Sequence, residues 1–315
     1  MPNFQTRGST NMPKLFSSFG AVVLAVVALA ACGSSKSSTT TTSSTSTSAS
    51  TLTTPATDAA IAAKVPAAIK SKGTLVVASD ATYAPNEFIA SDGHTVVGMD
   101  PDLVNALAAV MGLKAHFINA TFDTIIPGLA AGRYDLGASS FTDTKEREKT
   151  VDFVTYFTAG ESFYAKSSSN PTINSLSDLC GKSVAVEKGT TEEEEVKAQS
   201  AKCVKEGKPA PTLLVFPTQN GTNLAVASGR AELGMADSPV VDYAVKQSGG
   251  TLKVVGPTLA SAPYGLAFPK GTGMTEPTLE ALKVLMADGD YTKILTKWGV
   301  QAGAITNPGI NQAKS

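Results

Sequence analysis

From Leu75 onward the chain alternates between short apolar runs and capped amphipathic segments, and that alternation narrows its possible folds more than any other feature. Leu75-Val76-Val77-Ala78-Ser79 is a continuous apolar run, as in a strand buried on both faces. Asp100-Pro101-Asp102 then opens a helix, with Asp100 expected as N-cap, Pro101 at the first helical position and Asp102 complementing the positive dipole end. Leu103, Ala106, Leu107 and Val110 form its apolar stripe, and Gly112 ends it. Lys114 to Asn119 alternates as a strand, in which His116 is expected to be structural. Asp123 is the expected cap of a helix that carries Ile125, Ile126 and Leu129 and closes at Gly132. Tyr134 to Ser139 is strand-like again. A β-α-β-α-β run implies a parallel sheet with helices on its faces.

The plan then recurs. Ser183 to Glu187 reads as a strand, and Thr191 with Glu194 predicts a capping box for a helix reaching about Lys205. The run Glu192 to Glu195 is expected to be a solvated first turn that suits the dipole. Leu213 to Phe216 is a strand, Asn220 to Ser228 a helix stopped by Gly229, and Ala231 to Ala236 a strand. Asp237-Ser238-Pro239 starts another helix by the cap-plus-proline rule. A strand at Tyr264 to Phe268, a helix at Thr278 to Ala287 and an amphipathic turn at Tyr291 to Trp298 complete the pattern, with Trp298 expected to pack. Roughly 240 residues follow the N-terminal region, enough for two lobes of about a hundred each.

The N-terminus speaks to compartment. Arg7 and Lys14 precede an apolar run from Leu15 to Ala31, short for a membrane span and matching a secretory signal, with Met12 as an alternative start. It ends in Leu29-Ala30-Ala31-Cys32, which resembles a bacterial lipobox; an ordinary cleavage site or a short anchor are the alternatives. Residues 1–31 are therefore expected to be a signal peptide, and Cys32 to be lipidated. Ser34 to Thr57 is almost all Ser, Thr and Ala, too poor in apolar surface to offset its ordering entropy. Residues 32–58 are thus expected to be a tether that holds the folded part at the outer face of the cytoplasmic membrane, with several acyl chains needed for stable anchoring.

Cysteine use agrees with export. Cys180 and Cys203 remain as an even pair in an oxidising compartment and are expected to form a disulfide, two buried thiols being the alternative. Neither has a partner at metal-ligand spacing, and His94 and His116 lie far from both, so no metal is expected. A net charge of −1 with 17% charged residues argues against nucleic-acid binding. Asp143-Thr144-Lys145-Glu146-Arg147, after Ser139-Ser140-Phe141-Thr142, sets a guanidinium just beyond a cluster of hydroxyls and backbone N–H groups. A planar fork of donors takes both oxygens of a carboxylate, so an anion site for an α-amino-acid carboxylate is expected there.

Taken in order, several motifs resemble the extracellular solute-binding proteins that deliver polar amino acids to ABC importers. They include Asp80-Ala81-Thr82-Tyr83-Ala84-Pro85, Gly98-Met99-Asp100-Pro101-Asp102-Leu103, Phe122 to Leu129, Thr142 to Arg147, Val151-Asp152-Phe153, Glu187-Lys188-Gly189-Thr190-Thr191, Asp237-Ser238-Pro239 and Lys297-Trp298-Gly299. No single one is diagnostic, but their order and spacing are highly specific. The resemblance implies an α/β, two-lobed periplasmic-binding-protein-like fold of type II, with two hinge strands and ligand in the inter-lobe cleft. Crossovers are implied near Gly160-Glu161-Ser162-Phe163 and Ser261-Ala262-Pro263-Tyr264. Lobe I is then residues 73–160 and 263–303, lobe II is 161–262, and 304–315 is a tail.

The resemblance also implies a ligand set. Arg147 matches the carboxylate-binding position, Thr142 assists it, and Thr190 and Thr191 add the N–H groups of a helix start. Ser140 and Asp237 match positions that meet the ammonium, and Tyr83 and Phe122 match those that sandwich the side-chain stem. Asp80 and Glu187 fall where specificity is set, and two acids favour arginine, lysine, glutamine or asparagine. Pro85-Asn86-Glu87-Phe88 departs from the usual pattern, so Asn86 and Glu87 receive no role. The expected protein is a monomeric binding component with no cofactor, partnered by ABC permease subunits whose ATPase is on other chains. A ligand-sensing lipoprotein is the alternative, and an enzyme of dehydratase type on the same fold is disfavoured because no nucleophile–base pair is present.

Overall fold

The computed structural model describes residues 52–259 and 261–314; the expected signal peptide, Cys32 and most of the tether lie outside that range. Among the described residues the chain runs α1 (Ala59–Lys64), α2 (Ala67–Lys72), β1 (Thr74–Ser79), β2 (Thr82–Tyr83), β3 (Glu87–Ile89), β4 (Val96–Val97), α3 (Met99–Val110), β5 (Lys114–Asn119), α4 (Phe122–Ala130) and β6 (Leu136–Gly137). A 3-10 turn at Arg147–Lys149 leads into β7 (Val151–Lys166). Then come β8 (Ser183–Glu187), α5 (Thr191–Lys205), β9 (Thr212–Phe216), α6 (Gln219–Ser228), β10 (Leu233–Asp237), α7 (Ser238–Gln247), β11 (Leu252–Val255), β12 (Ser261–Pro269), α8 (Thr275–Ala287) and α9 (Asp290–Trp298).

Two α/β lobes share one strand. In the first, β5, β1 and β6 run parallel, and β12 joins β6 and β7 antiparallel. In the second, β9, β8 and β10 run parallel, and β10 and β11 join β7 antiparallel. The 16 residues of β7 are what couple them. Its first part, up to Gly160, pairs with β12, and its second part, from Glu161, pairs with β10. Helices cover both faces of each half. In the first lobe Leu103, Leu107, Leu282 and Leu285 pack one face, while Ile125, Leu129, Phe141 and Phe153 pack the other. In the second, Val226, Val240 and Val241 fill one side and Val184, Val186, Val196 and Met235 the other.

The parallel strands appear where the apolar runs predict them, but several ends differ for identifiable reasons. Asp100 does not cap α3. Gly98 takes that position with φ 141°, and an added Cβ there would sit 2.1 Å from the Asn86 carbonyl oxygen. Asp100 is fully buried instead, accepting from the Tyr156 hydroxyl at 2.6 Å and the Ser140 N–H at 2.9 Å. Asp123 does not cap α4 either; Asp80 reaches over from the end of β1 and accepts the Phe122 N–H at 2.9 Å. The box at α5 is shifted one residue earlier: the Thr190 hydroxyl accepts from the Glu193 N–H, and Glu193 accepts from the Gly189 N–H. His116 lies exposed on the edge strand β5 and has no core role. Trp298 packs as expected, edge-on to Phe88, and donates to Asp102 at 2.6 Å.

Both ends of the described chain lie along the first lobe. Leu52 packs against its core, the Thr57 hydroxyl donates to the Ala109 carbonyl, and Asp58 caps α1. At the other end Gly309 and Asn311 bond to Thr155 and Phe153 of β7. Cys180 and Cys203 are joined, with Cα atoms 5.7 Å apart, tying the approach to β8 to the second half of α5. The cross-link closes a loop of 23 residues' separation, for which the chain-entropy relation gives about 3 kcal/mol. A Cys180→Ser, Cys203→Ser double variant should therefore lose stability by about that amount in urea unfolding; an unchanged midpoint would refute the role.

Candidate functional site

The cleft lies where the parallel strands of the two lobes end, the edge of an α/β sheet at which strand-to-helix loops can converge on a ligand. Asp80 follows β1, Ser139 to Thr142 follow β6, Glu187 ends β8 and Asp237 ends β10. Tyr83 comes from β2, Phe122 opens α4, and Thr190 and Thr191 open α5. The ten ligand residues expected from sequence, Asp80, Tyr83, Phe122, Ser140, Thr142, Arg147, Glu187, Thr190, Thr191 and Asp237, all line this one cavity, together with Ser139 and Glu192.

Arg147 is held in the 3-10 turn before β7. One guanidinium nitrogen donates to the Thr142 carbonyl at 2.9 Å, and another reaches the second lobe, donating to the Gly189 carbonyl at 3.0 Å. Its plane lies over Phe122 and Phe141, 5.3 and 5.6 Å from the ring centres, and these two rings stack 4.6 Å apart. Aromatic faces favour a cation and strip water from it. Burial draws the guanidinium's pKa down, while Glu192, Glu194 and Asp237 push it back up, and the group remains charged.

Two acids meet at the far side of the cleft. Asp80 accepts from Thr82 at 2.6 Å as well as from the Phe122 N–H. Burial raises its pKa, and burial together with Asp80 raises that of Glu187 well above the carboxylate range. One Glu187 oxygen has no hydrogen-bond partner among the described residues. Each carboxylate of the pair thus disfavours ionisation of the other, and a cation placed between them would relieve both.

Asp237 forms the opposite wall. Its Oδ2 accepts from the Tyr83 hydroxyl at 2.9 Å, and the same hydroxyl accepts the Asp237 N–H at 3.1 Å. It makes no side-chain cap to α7, although its position and Ser238-Pro239 start that helix. Burial pushes the Asp237 carboxyl up to about 6, against the pull of Tyr264, Tyr83 and Arg147. Contacts between the lobes are numerous in this form. Besides Arg147 with Gly189 and Tyr83 with Asp237, the Gln219 N–H donates to Thr82, and Lys188 pairs with Asp123 at 2.8 Å. Gly189 lies so close to Asp123 that a Cβ would approach it to 2.9 Å.

Ser140 behaves differently from a residue that offers its hydroxyl to a ligand. With φ 49° it turns the side chain away from the cavity, where it donates to Glu87 at 3.2 Å and accepts from Asn86 at 2.9 Å. The departure at Pro85-Asn86-Glu87-Phe88 is therefore the floor under the cleft: Asn86 and Glu87 are fully buried. Burial and the nearby Asp100 raise the Glu87 pKa well above normal, so Glu87 is protonated and can donate. The signal that could have found this layer is Gly98, whose bare backbone must pass directly over Asn86. Glu192 was also missed: it is buried at the cavity wall, because the first turn of α5 is packed under the cleft instead of facing water. Among the described residues, no group of three or more His, Cys, Asp or Glu side chains is placed to hold a metal ion.

Comparison with known proteins agrees with this geometry. The family model for bacterial extracellular solute-binding proteins, family 3, matches residues 75–301. The arginine-binding protein ArgT of Corynebacterium glutamicum is 37% identical over 253 residues, covering 80% of this chain and 83% of that protein. The ABC transporter arginine-binding protein 1 of Escherichia coli is 31% identical, covering 69% of this chain and 87% of its own length. Among solved structures, an ancestral arginine-binding protein bound to arginine superposes with a TM-score of 0.67 at 36% identity, covering 72% of this chain and 98% of that one. The chain belongs to the bacterial extracellular solute-binding proteins of family 3.

Proposed function

We propose that the cleft captures a basic or polar amino acid, L-arginine before lysine, glutamine or asparagine, and hands it to an ABC permease. The protein is an amino-acid-binding component of an ABC transporter, and its relatives are binding proteins, not enzymes. One observation carries the choice of ligand. The cavity is walled by four carboxyl groups, Asp80, Glu187, Glu192 and Asp237, against one guanidinium, Arg147. A zwitterion of no net charge would leave any ionised acid beyond the one that balances Arg147 uncompensated in a buried site, whereas a ligand with a second cation offsets it. Names of relatives that mention arginine point the same way.

In this reading Arg147 takes the α-carboxylate, helped by Thr142 and by the start of α5 at Thr190 and Thr191. Asp237 takes the ammonium, with the main chain at Ser140 beside it. Phe122 and Tyr83 flank the stem, and Asp80 with Glu187 takes the side-chain cation. The ligand touches both lobes and so favours the closed form over any open one. The lobe limits 73–160 with 263–303, and 161–262, belong to this proposal. So do lipid attachment at Cys32, a tether reaching the membrane, and a monomeric state.

A thermal-shift panel of the twenty amino acids should give its largest rise with arginine; a preference for leucine, aspartate or glutamate would refute the pocket reading. Arg147→Ala should weaken arginine binding by about 3–5 kcal/mol in calorimetry, because it strands one member of a buried pair; near-wild-type affinity would exclude the site. Tyr83→Phe removes the hydroxyl that ties Asp237 across the cleft and should cost closure about 1–3 kcal/mol. In solution scattering with saturating arginine it should leave a larger radius of gyration than the wild type, and an unchanged profile would show that the tie does not hold the lobes.

A further inference from the structure

Glu192 is the one cavity acid left without a counterpart in the ligand set above. The residue is 2% exposed and forms part of the cavity wall. One carboxyl oxygen receives only a long bond from the Thr191 hydroxyl, at 3.3 Å, and the other is buried with no partner among the described residues. The charged and titratable groups that act on it come from every element around it. They are Arg147 from the turn before β7, Asp237 from β10, Glu187 from β8, Glu161 and Tyr164 from β7, and Tyr83 from β2, with Glu195 of α5 itself acting on Glu161. Glu161 stands directly opposite Asp237 in the β7–β10 ladder, and a Glu195 oxygen is also buried without a partner. Arg147 is the single cation in this set.

The arithmetic of pairing leaves one arrangement. A bound amino acid brings its carboxylate to Arg147 and its ammonium to Asp237, while a side-chain cation goes to Asp80 and Glu187. Glu192 then sits beside Arg147 with no cation of its own and with the ligand's carboxylate as neighbour. Two carboxylates at one guanidinium repel, whereas a carboxylic acid and a carboxylate form a strong hydrogen bond. Burial first, and Asp237 second, already push the Glu192 carboxyl up to about 8, so it holds a proton at neutral pH.

We propose that Glu192 is a further ligand-contacting residue, whose protonated carboxyl donates a hydrogen bond to the α-carboxylate of the bound amino acid beside Arg147. The inference rests on the reading of the cleft as an amino-acid site. Capture then takes up a proton. Opening admits water to Glu192 and draws its pKa down towards the ordinary carboxylate value of about 4.3, and closure dries it and raises it again. A group raised on closure favours the closed form most below its open-state pKa. That advantage fades as pH climbs towards about 8 and is absent above it.

Calorimetry with L-arginine, in buffers of different ionisation enthalpy at pH 7, counts the protons taken up. Glu192→Gln retains a donor but has no proton to gain, and Glu192→Ala has neither. Glu192→Gln should take up about one proton fewer per ligand than the wild type. Glu192→Ala should bind about tenfold more weakly than Glu192→Gln. Between pH ~5 and 8 the affinity of the wild type relative to Glu192→Gln should fall by up to about tenfold per unit. Equal proton uptake in wild type and Glu192→Gln, or equal affinity of the Ala and Gln variants, would overturn the proposal. If the wild type ignores arginine but retains another amino acid, the ligand-class reading fails while this one stands or falls by the same comparison, since the carboxylate is common to all of them.

Discussion

A lone guanidinium stands among buried carboxyl groups in the cleft, and much of the surrounding architecture follows from keeping it there. Arg147 is pinned by the Thr142 carbonyl on its own lobe and the Gly189 carbonyl on the other, over two stacked rings. None of those partners neutralises it. Carbonyl oxygens satisfy donors without cancelling charge, so the full positive field remains for an anion that enters the cavity. The acids around it cannot all be ionised in so little water, and protons or cations must make up the difference.

The fold positions this charge through a second, deeper polar layer. Asp100, Glu87, Asn86 and Ser140 form a connected set under the strand ends, joined to β7 through the Tyr156 hydroxyl. Burial pushes the Asp100 carboxyl up to about 6, and burial with the Asp100 charge raises Glu87 well above the usual carboxylate range. The layer's cost is offset by complete pairing of most members, and its return is a fixed left-handed turn at Ser140 that aims the loop from Ser139 to Thr142.

The strands and the two-lobed plan were legible because parallel strands must be apolar on both faces, and such runs stand out in a chain rich in polar residues. Cleft residues were legible through the resemblance of their motifs to a known family, and they meet in space because strand-end loops gather wherever parallel strands share a direction. Caps were less legible. Asp100 and Asp123 carry the right side chain at the right offset, yet Gly98 and Asp80 take those roles, because tertiary contacts decided which oxygen reached the helix start. Burial of charge was the least legible. Four consecutive glutamates look like a wet surface, and only the packing of α5 beneath the cleft reveals that Glu192 and part of Glu195 are dry. The same blindness hid Glu87, whose neighbours in space come from four separate stretches of chain.

The unbroken course of β7 has a mechanical consequence. Because β7 runs unbroken through both sheets, the change of its partners at Gly160 is a natural fulcrum for the two halves, and there the backbone is hemmed in by Leu259 and Thr258. Displacement then grows with distance from that fulcrum. Asp237 faces Glu161 just beyond it, whereas Lys188 and Asp123 meet at the partly exposed rim. A swing about that root carries the parts of the jaws farthest from it through the longest arc.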